Sequence, residues 1–188
     1  MALPFDELAN LVRSRRTHMM VDRERPVPND IVDQLCELAT WAPNHKRTWP
    51  WRFAHLSGPA RGRLGEAFAD DMLERQFGDD VKQAKTRTKY LRAPSILVVA
   101  SAAHDNETLH DENRDAVSAS VQTLLLGATA LGLATFWSTP GFSDCARARQ
   151  LCGFDPTDTI TAVIYMGWAT ATVRAPTRPT LQIRHITT

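Results

Sequence analysis

The stretch from Ala116 to Leu133 constrains this chain more than any other. A helix is expected from about Glu112 to Leu131, and after Ala116 its residues are apolar almost all the way round. Small side chains recur at Ala116, Ala119, Gly127, Ala128 and Ala130. A helix that is apolar on every side belongs at the centre of a core or in a subunit interface. A membrane span would need about 20 mostly apolar residues. Here Ser118, Ser120, Gln122 and Thr123 interrupt the run, and charged residues between Asp111 and Asp115 precede it, so a buried helix is the better reading. Gly132 can end it in a left-handed conformation.

Around this helix the pattern alternates between strands and shorter helices. A first helix is expected over Phe5–Arg15, from the spacing of Phe5, Leu8, Leu11 and Val12. A second begins at a cap supplied by Asn29 or Asp30, with Ile31, Leu35, Leu38 and Ala39 inward, and Pro43 limits it. Trp51–Leu56 reads as a strand. Arg61–Phe77 reads as a helix stopped by Gly78, and Asp80–Leu91 as a polar, exposed helix. Ser95–Ala100 is a continuous apolar run after Pro94, the signature of a strand buried on both faces. Ala134–Ser138 and Thr159–Gly167 are further strands, with a short helix over Phe142–Leu151 between them. Residues from about 170 to 188 carry two prolines and few core positions, which predicts an extended tail long enough to reach a partner subunit. There is no repeat and no low-complexity linker, so residues 1–188 read as one domain.

The chain has 188 residues, of which 43% are hydrophobic and 23% charged, enough for one domain with a substantial core. A formal net charge of +1 gives no reason to expect nucleic acid or an acidic membrane as partner. Asp6 and Glu7 fall early and no apolar run follows a basic start, unlike a secretory signal. Three cysteines without C-x-x-C spacing suit a reduced, cytoplasmic protein. Cys145 and Cys152 read as core residues. The spacing of His104, Asp105, His110 and Asp111 fits no common metal site. Neither a dinucleotide-binding G-x-G-x-x-G nor a P-loop is present.

Three segments have residue types suited to binding a ligand. Arg15-Arg16-Thr17, at the end of the first helix, can clamp a phosphate with planar guanidinium donors and a hydroxyl. The same residues also suit a helix C-terminus, where cations are favoured. Trp41-Ala42-Pro43-Asn44-His45-Lys46 leads into Trp49-Pro50-Trp51-Arg52-Phe53. Asn44 and His45 can hydrogen-bond a heteroaromatic ligand and Lys46 can add positive charge, or the segment is a loop with Trp51 packed in the core. Trp137-Ser138-Thr139-Pro140-Gly141 closes a short strand and offers hydroxyls and backbone amides, or is an ordinary strand-to-turn junction.

The ordered set resembles the nitroreductase family. The matching pieces are Arg15-Arg16-Thr17, Ala42-Pro43-Asn44 with Pro50-Trp51-Arg52-Phe53, Pro94-Ser95-Ile96-Leu97-Val98, Gln122–Leu126, Ala130–Leu133, Trp137–Gly141 and Ile160–Gly167. They run from about Leu8 to Gly167, and Ala42-Pro43-Asn44-His45-Lys46 is similar to the small, minimal members. The resemblance implies an α+β fold, a central and mainly antiparallel sheet flanked by helices, a long buried central helix, and an intertwined homodimer with FMN at its interface. It implies flavin contacts at Arg15, Arg16, Thr17, Trp41, Asn44, His45, Lys46, Trp137, Ser138 and Thr139. Arg178 in the tail would be a phosphate contact, and Gly127–Gly132 would lie near the nicotinamide.

The implied reaction passes hydride from NADH or NADPH through the flavin to a nitroaromatic, quinone or similar acceptor, with no protein acid or base. Lys46, or amides near Ser138, would supply positive charge beside the flavin. The sequence departs from the family pattern in Thr17 for serine, in His18-Met19-Met20-Val21, in Trp41, and in Ser138-Thr139-Pro140-Gly141. Two other readings predict different behaviour: a flavin-storage protein without turnover, and a non-enzymatic helical interaction protein.

Overall fold

The computed structural model describes residues 4–187. Among them are six α-helices and one four-stranded sheet. The helices are α1 Phe5–Ser14, α2 Asn29–Ala39, α3 Ala60–Glu74, α4 Asp80–Thr88, α5 Glu107–Ala130 and α6 Ala146–Cys152. The strands are β1 Trp51–Ser57, β2 Ser95–Ser101, β3 Leu133–Ser138 and β4 Thr159–Trp168, in the order β1-β2-β4-β3. Every pairing between them is antiparallel. The fold is therefore α+β, with helices on both faces of the sheet.

The central pair β2 and β4 explains this layering. Every residue of β2 is buried. Leu97 and Val99 join one core with Val32 and Leu35 of α2 and Val121 and Leu124 of α5. Ile96, Val98 and Ala100 join the other, with Leu64 and Phe68 of α3 and Ala148 of α6. Successive strand residues face opposite sides, so a continuous apolar run can only be satisfied by a core on each face. Burying one such aliphatic side chain contributes roughly 1.5–3 kcal/mol.

Helix α5 starts earlier than its apolar run. Asn106 Oδ1 accepts the amide of Leu109 at 3.0 Å and caps the helix ahead of the charged turn. In the single chain α5 is not buried all round. Asn113, Ala116, Val117, Ser120, Val121, Leu124, Leu125 and Ala128 form the inward stripe, whereas Ala119, Leu126 and Gly127 are half-buried and Gln122 and Ala130 exposed. Gly127 is where α2 comes close, because a Cβ there would lie 2.8 Å from Leu38 Cδ2 and 2.9 Å from Leu35 Cδ2. Gly132 has φ of +79° and ends the helix as expected.

Other boundaries moved for local reasons. Pro28 occupies the cap position of α2, no side chain caps it, and Val32 rather than Leu38 faces inward. Helix α3 ends before Gly78, in a 6→1 and 5→2 hydrogen-bond pair: Phe77 N to Met72 O at 2.8 Å and Gln76 N to Leu73 O at 3.0 Å. Gln76 takes the left-handed position at φ +53°. Helix α4 gives way to a 3-10 turn, Lys89–Arg92, whose Tyr90 is buried against Phe68 and Tyr165. Helix α6 is shorter than expected, and neither Ser143 nor Asp144 caps it. Beyond Ala169 the chain forms no regular element as far as residue 187.

Candidate functional site

Two of the three segments meet at the edge of the sheet. Thr17 forms an isolated parallel bridge to Thr135 of β3, and the amide of His18 donates to Thr135 O at 3.2 Å. This places Arg15-Arg16-Thr17 beside the strand that carries Trp137 and Ser138. Arg15 Nη1 donates to Thr17 Oγ1 at 3.2 Å. Arg16 Nη1 donates to the carbonyls of Arg13 at 2.6 Å and Arg15 at 2.7 Å, which folds its guanidinium over the end of α1.

The two strands of chain joined by the Thr17–Thr135 bridge carry three buried donor or acceptor atoms without a hydrogen-bond partner: Arg16 Nε, His18 Nδ1 and Trp137 Nε1. Buried polar groups are nearly always satisfied, and leaving one unmade costs about 1–3 kcal/mol. A ligand rich in acceptor oxygens and ring nitrogens fits this set, since Arg16 Nε and Trp137 Nε1 are both donors. Burial pushes the His18 imidazole below its usual value, which favours the neutral ring. The place of His18 is set by its backbone pairing with Thr135, which no local pattern reveals.

The tail contributes to the same end of α1. Ala175, Pro176 and Arg178 line a cavity of about 520 Å³ with Val12, Arg13 and Arg16. Three guanidiniums therefore converge there, which suits a phosphate.

The remaining segment lies elsewhere in the chain. Residues His45–Arg47 form a 3-10 turn against α5, where His45 Nδ1 is 2.6 Å from Glu112 Oε2. Thr48 Oγ1 donates to Asn113 Oδ1, and Asn113 Nδ2 donates to Ala102 O at 3.1 Å. Asn44 Oδ1 accepts the amide of Trp49 at 3.0 Å and its Nδ2 donates to Thr48 Oγ1 at 3.0 Å. Lys46, Arg47 and Trp49 all have positive φ, between +50° and +57°. Left-handed conformations are uncommon for residues with side chains, so this loop is held by its hydrogen bonds against local preference. Trp41 is 77% exposed, with its indole N–H donating to Glu37 at 2.7 Å. Trp51 is buried and packs in the core.

Among the described residues, no hydrogen bond or ion pair within the chain joins 41–46 to 15–17 or 137–139. Ser138 is half-buried. Thr139 is exposed and lines a separate polar cavity of about 330 Å³ with His110 and Arg114. All three cysteines are free, and burial pushes the Cys36 and Cys152 thiols up to about 12. Among the described residues, no helix is long and apolar enough to cross a membrane.

Comparison with known proteins bears on the family and the fold. The profile of the nitroreductase family matches residues 12–168. A protein of Bacillus subtilis (strain 168) named "Putative NAD(P)H nitroreductase YfhC" is 28% identical over 165 residues, covering 86% of this chain and 84% of that protein. A nitroreductase-like family protein from Bacillus cereus superposes with a TM-score of 0.81 at 22% identity, covering 98% of this chain and 99% of that one. The FMN-dependent nitroreductase NfnB from Mycobacterium smegmatis, solved in complex with NADPH, gives 0.74 at 21% identity, with 96% and 99% covered. With a match over most of its length and these segments in place, the chain belongs to the nitroreductase family.

Proposed function

We propose that this protein is an FMN-dependent NAD(P)H oxidoreductase that acts as a homodimer and reduces a small acceptor such as a nitroaromatic or a quinone. The observation that carries the reading is the Thr17–Thr135 bridge, which brings the Arg15-Arg16-Thr17 clamp to the strand bearing Trp137. The orphaned donors Arg16 Nε and Trp137 Nε1 match a phosphate-bearing heteroaromatic ligand.

Arg15, Arg16, Thr17 and Arg178 hold the phosphate and the adjoining polyol chain, and Trp137, Ser138 and Thr139 hold the ring edge. When bound, the flavin supplies the hydride chemistry between nicotinamide and acceptor. The chain's own part is to anchor, to orient, and to present positive charge and oriented amides that favour the reduced ring. Trp41, Asn44, His45 and Lys46 reach the flavin from the other subunit, which accounts for their distance from the first two segments within one chain. Leu38, Trp41, Leu131 and the α1 face of Phe5, Leu8 and Val12 are exposed. Apolar area of this kind marks a protein contact, and a two-fold interface would cover it.

The test is the visible spectrum of the purified protein after FMN loading and removal of the excess, before and after anaerobic NADH or NADPH. A retained flavin spectrum that bleaches supports the reading and names the donor. Retained flavin that does not bleach points to a storage protein, and no retained flavin overturns the reading. Light scattering on the loaded protein checks the dimer.

A further inference from the structure

Beside the end of the Trp137–Gly141 segment, helices α3 and α4 and the loop before α6 line a partly open cavity of about 180 Å³. Its apolar wall is made by Phe68, Met72, Phe77 and Phe142, and Lys82 and Lys89 stand in the same lining. A cavity of about 150 Å³ accepts a benzene ring, so this one is sized for a single ring. Phe77 and Phe142 meet edge to face with centroids 5.1 Å apart, an arrangement that can extend to a third ring.

A second hollow of about 400 Å³ adjoins it, sharing Lys82, Thr86 and Lys89 and adding Lys85 and Arg92. Four cations thus gather around the mouth. Among the described residues none of the four is in an ion pair, although their neighbours are. Arg75 is bound to Asp71 and Asp144, Arg87 to Asp70, and Arg147 to Glu74. Asp70, Asp71, Asp144 and Glu74 are therefore engaged by these arginines, and Asp79 accepts the Lys82 amide as the cap of α4. Lys89 is held below the usual lysine value by burial and then by the charges of Arg92 and Lys82. Lys82 Nζ lies 4.1 Å from the Phe77 ring centroid, at the boundary between the apolar wall and the basic mouth. An apolar cavity that opens on uncompensated cations is complementary to an anion with an apolar body.

We infer that this cavity is a binding site for a small aromatic carboxylate, with its ring among Phe68, Met72, Phe77 and Phe142 and its carboxylate between Lys82 and Lys89. None of Arg15–Thr17 or Trp137–Thr139 lines this cavity, which meets the third segment only at Gly141, so the assignment does not depend on a flavin being held there.

Isothermal titration with benzoate, on full-length protein kept in saturating FMN, tests it. Benzyl alcohol serves as the neutral isostere and inorganic phosphate as the anion without a ring. One benzoate per chain is expected, and the Lys82→Met/Lys89→Met double variant is expected to weaken it by about tenfold, the worth of one charged hydrogen bond. Benzyl alcohol should bind more weakly and be indifferent to the two lysines. Gly141→Leu, at a position where an added Cβ meets nothing within 4 Å, should occlude the cavity and remove benzoate binding with the melting temperature retained. Benzoate binding that survives both variants, phosphate binding as tight as benzoate, or no saturable binding would each overturn the assignment.

Discussion

Thr17 pairs with Thr135 as an isolated parallel bridge, so the end of the first helix is stitched to the edge strand β3. That single contact sets the position of Arg16, whose Nε is buried without a partner.

Replacing Arg16 with lysine keeps the charge but removes the fork and the Nε donor. On the proposed flavin reading, Arg16→Lys is expected to raise the FMN dissociation constant by about tenfold or more. Arg63→Lys, on the exposed side of α3, should not change it. Fluorescence quenching of FMN measures both; equal affinities would remove Arg16 from the phosphate site.

Two glycines in α3 predict opposite outcomes. A Cβ on Gly65 would run into the backbone carbonyl of Arg87, where α3 and α4 touch. Gly65→Ala is expected to cost about 3 kcal/mol or more, because backbone cannot yield as a side chain can. A Cβ on Gly62 meets only Leu91 Cδ2 at 3.9 Å. Gly62→Ala should therefore be neutral or stabilising by up to about 1 kcal/mol through helix propensity. Urea unfolding of the two variants gives the comparison.

Gln76 sits at φ +53° in the turn that closes α3, where glycine carries no steric cost. Gln76→Gly should stabilise the protein by about 0.5–1 kcal/mol, the relieved strain less the added freedom of the unfolded chain. A lower urea midpoint for this variant would show that the glutamine side chain earns its place by contacts.

His55 is the site of a pH dependence. Its Nε2 lies 2.7 Å from Ser95 Oγ, and burial pushes the imidazole below its usual 6.5, with Asp33 opposing. The folded value is thus below the unfolded one, so the unfolded chain takes up the proton first as pH falls. The contribution is complete above about pH 6.5 and is lost as pH falls through the lower folded value. His18 shifts in the same direction. Melting temperatures should drop between about pH 7.5 and 5.5, and His55→Gln should shrink the drop; an unchanged slope would exonerate His55.

Much of this protein is decided by local pattern. The apolar run Ser95–Ala100 could only be a strand with a core on each face, and Gly132 ends α5 with the left-handed turn its place demanded. Both follow from side-chain period and backbone sterics, which act within a few residues. Boundaries set by capping were less legible: Asn106 extends α5 by a turn and Gln76 closes α3 in a position usually taken by glycine, because hydrogen-bond geometry there outweighs residue preference. The ordered segments also named the family. What only the tertiary structure decided is which segments meet. Thr17 meets Thr135 across more than half of the sequence, and His45 meets Glu112 across 67 residues. Lys82, Lys85 and Lys89 read as part of a polar, exposed helix until packing put them, with Arg92, at the mouth of an apolar cavity. Such relations depend on how the sheet and helices stack, and that is fixed by burial summed over the whole core, with no trace in any one stretch of chain.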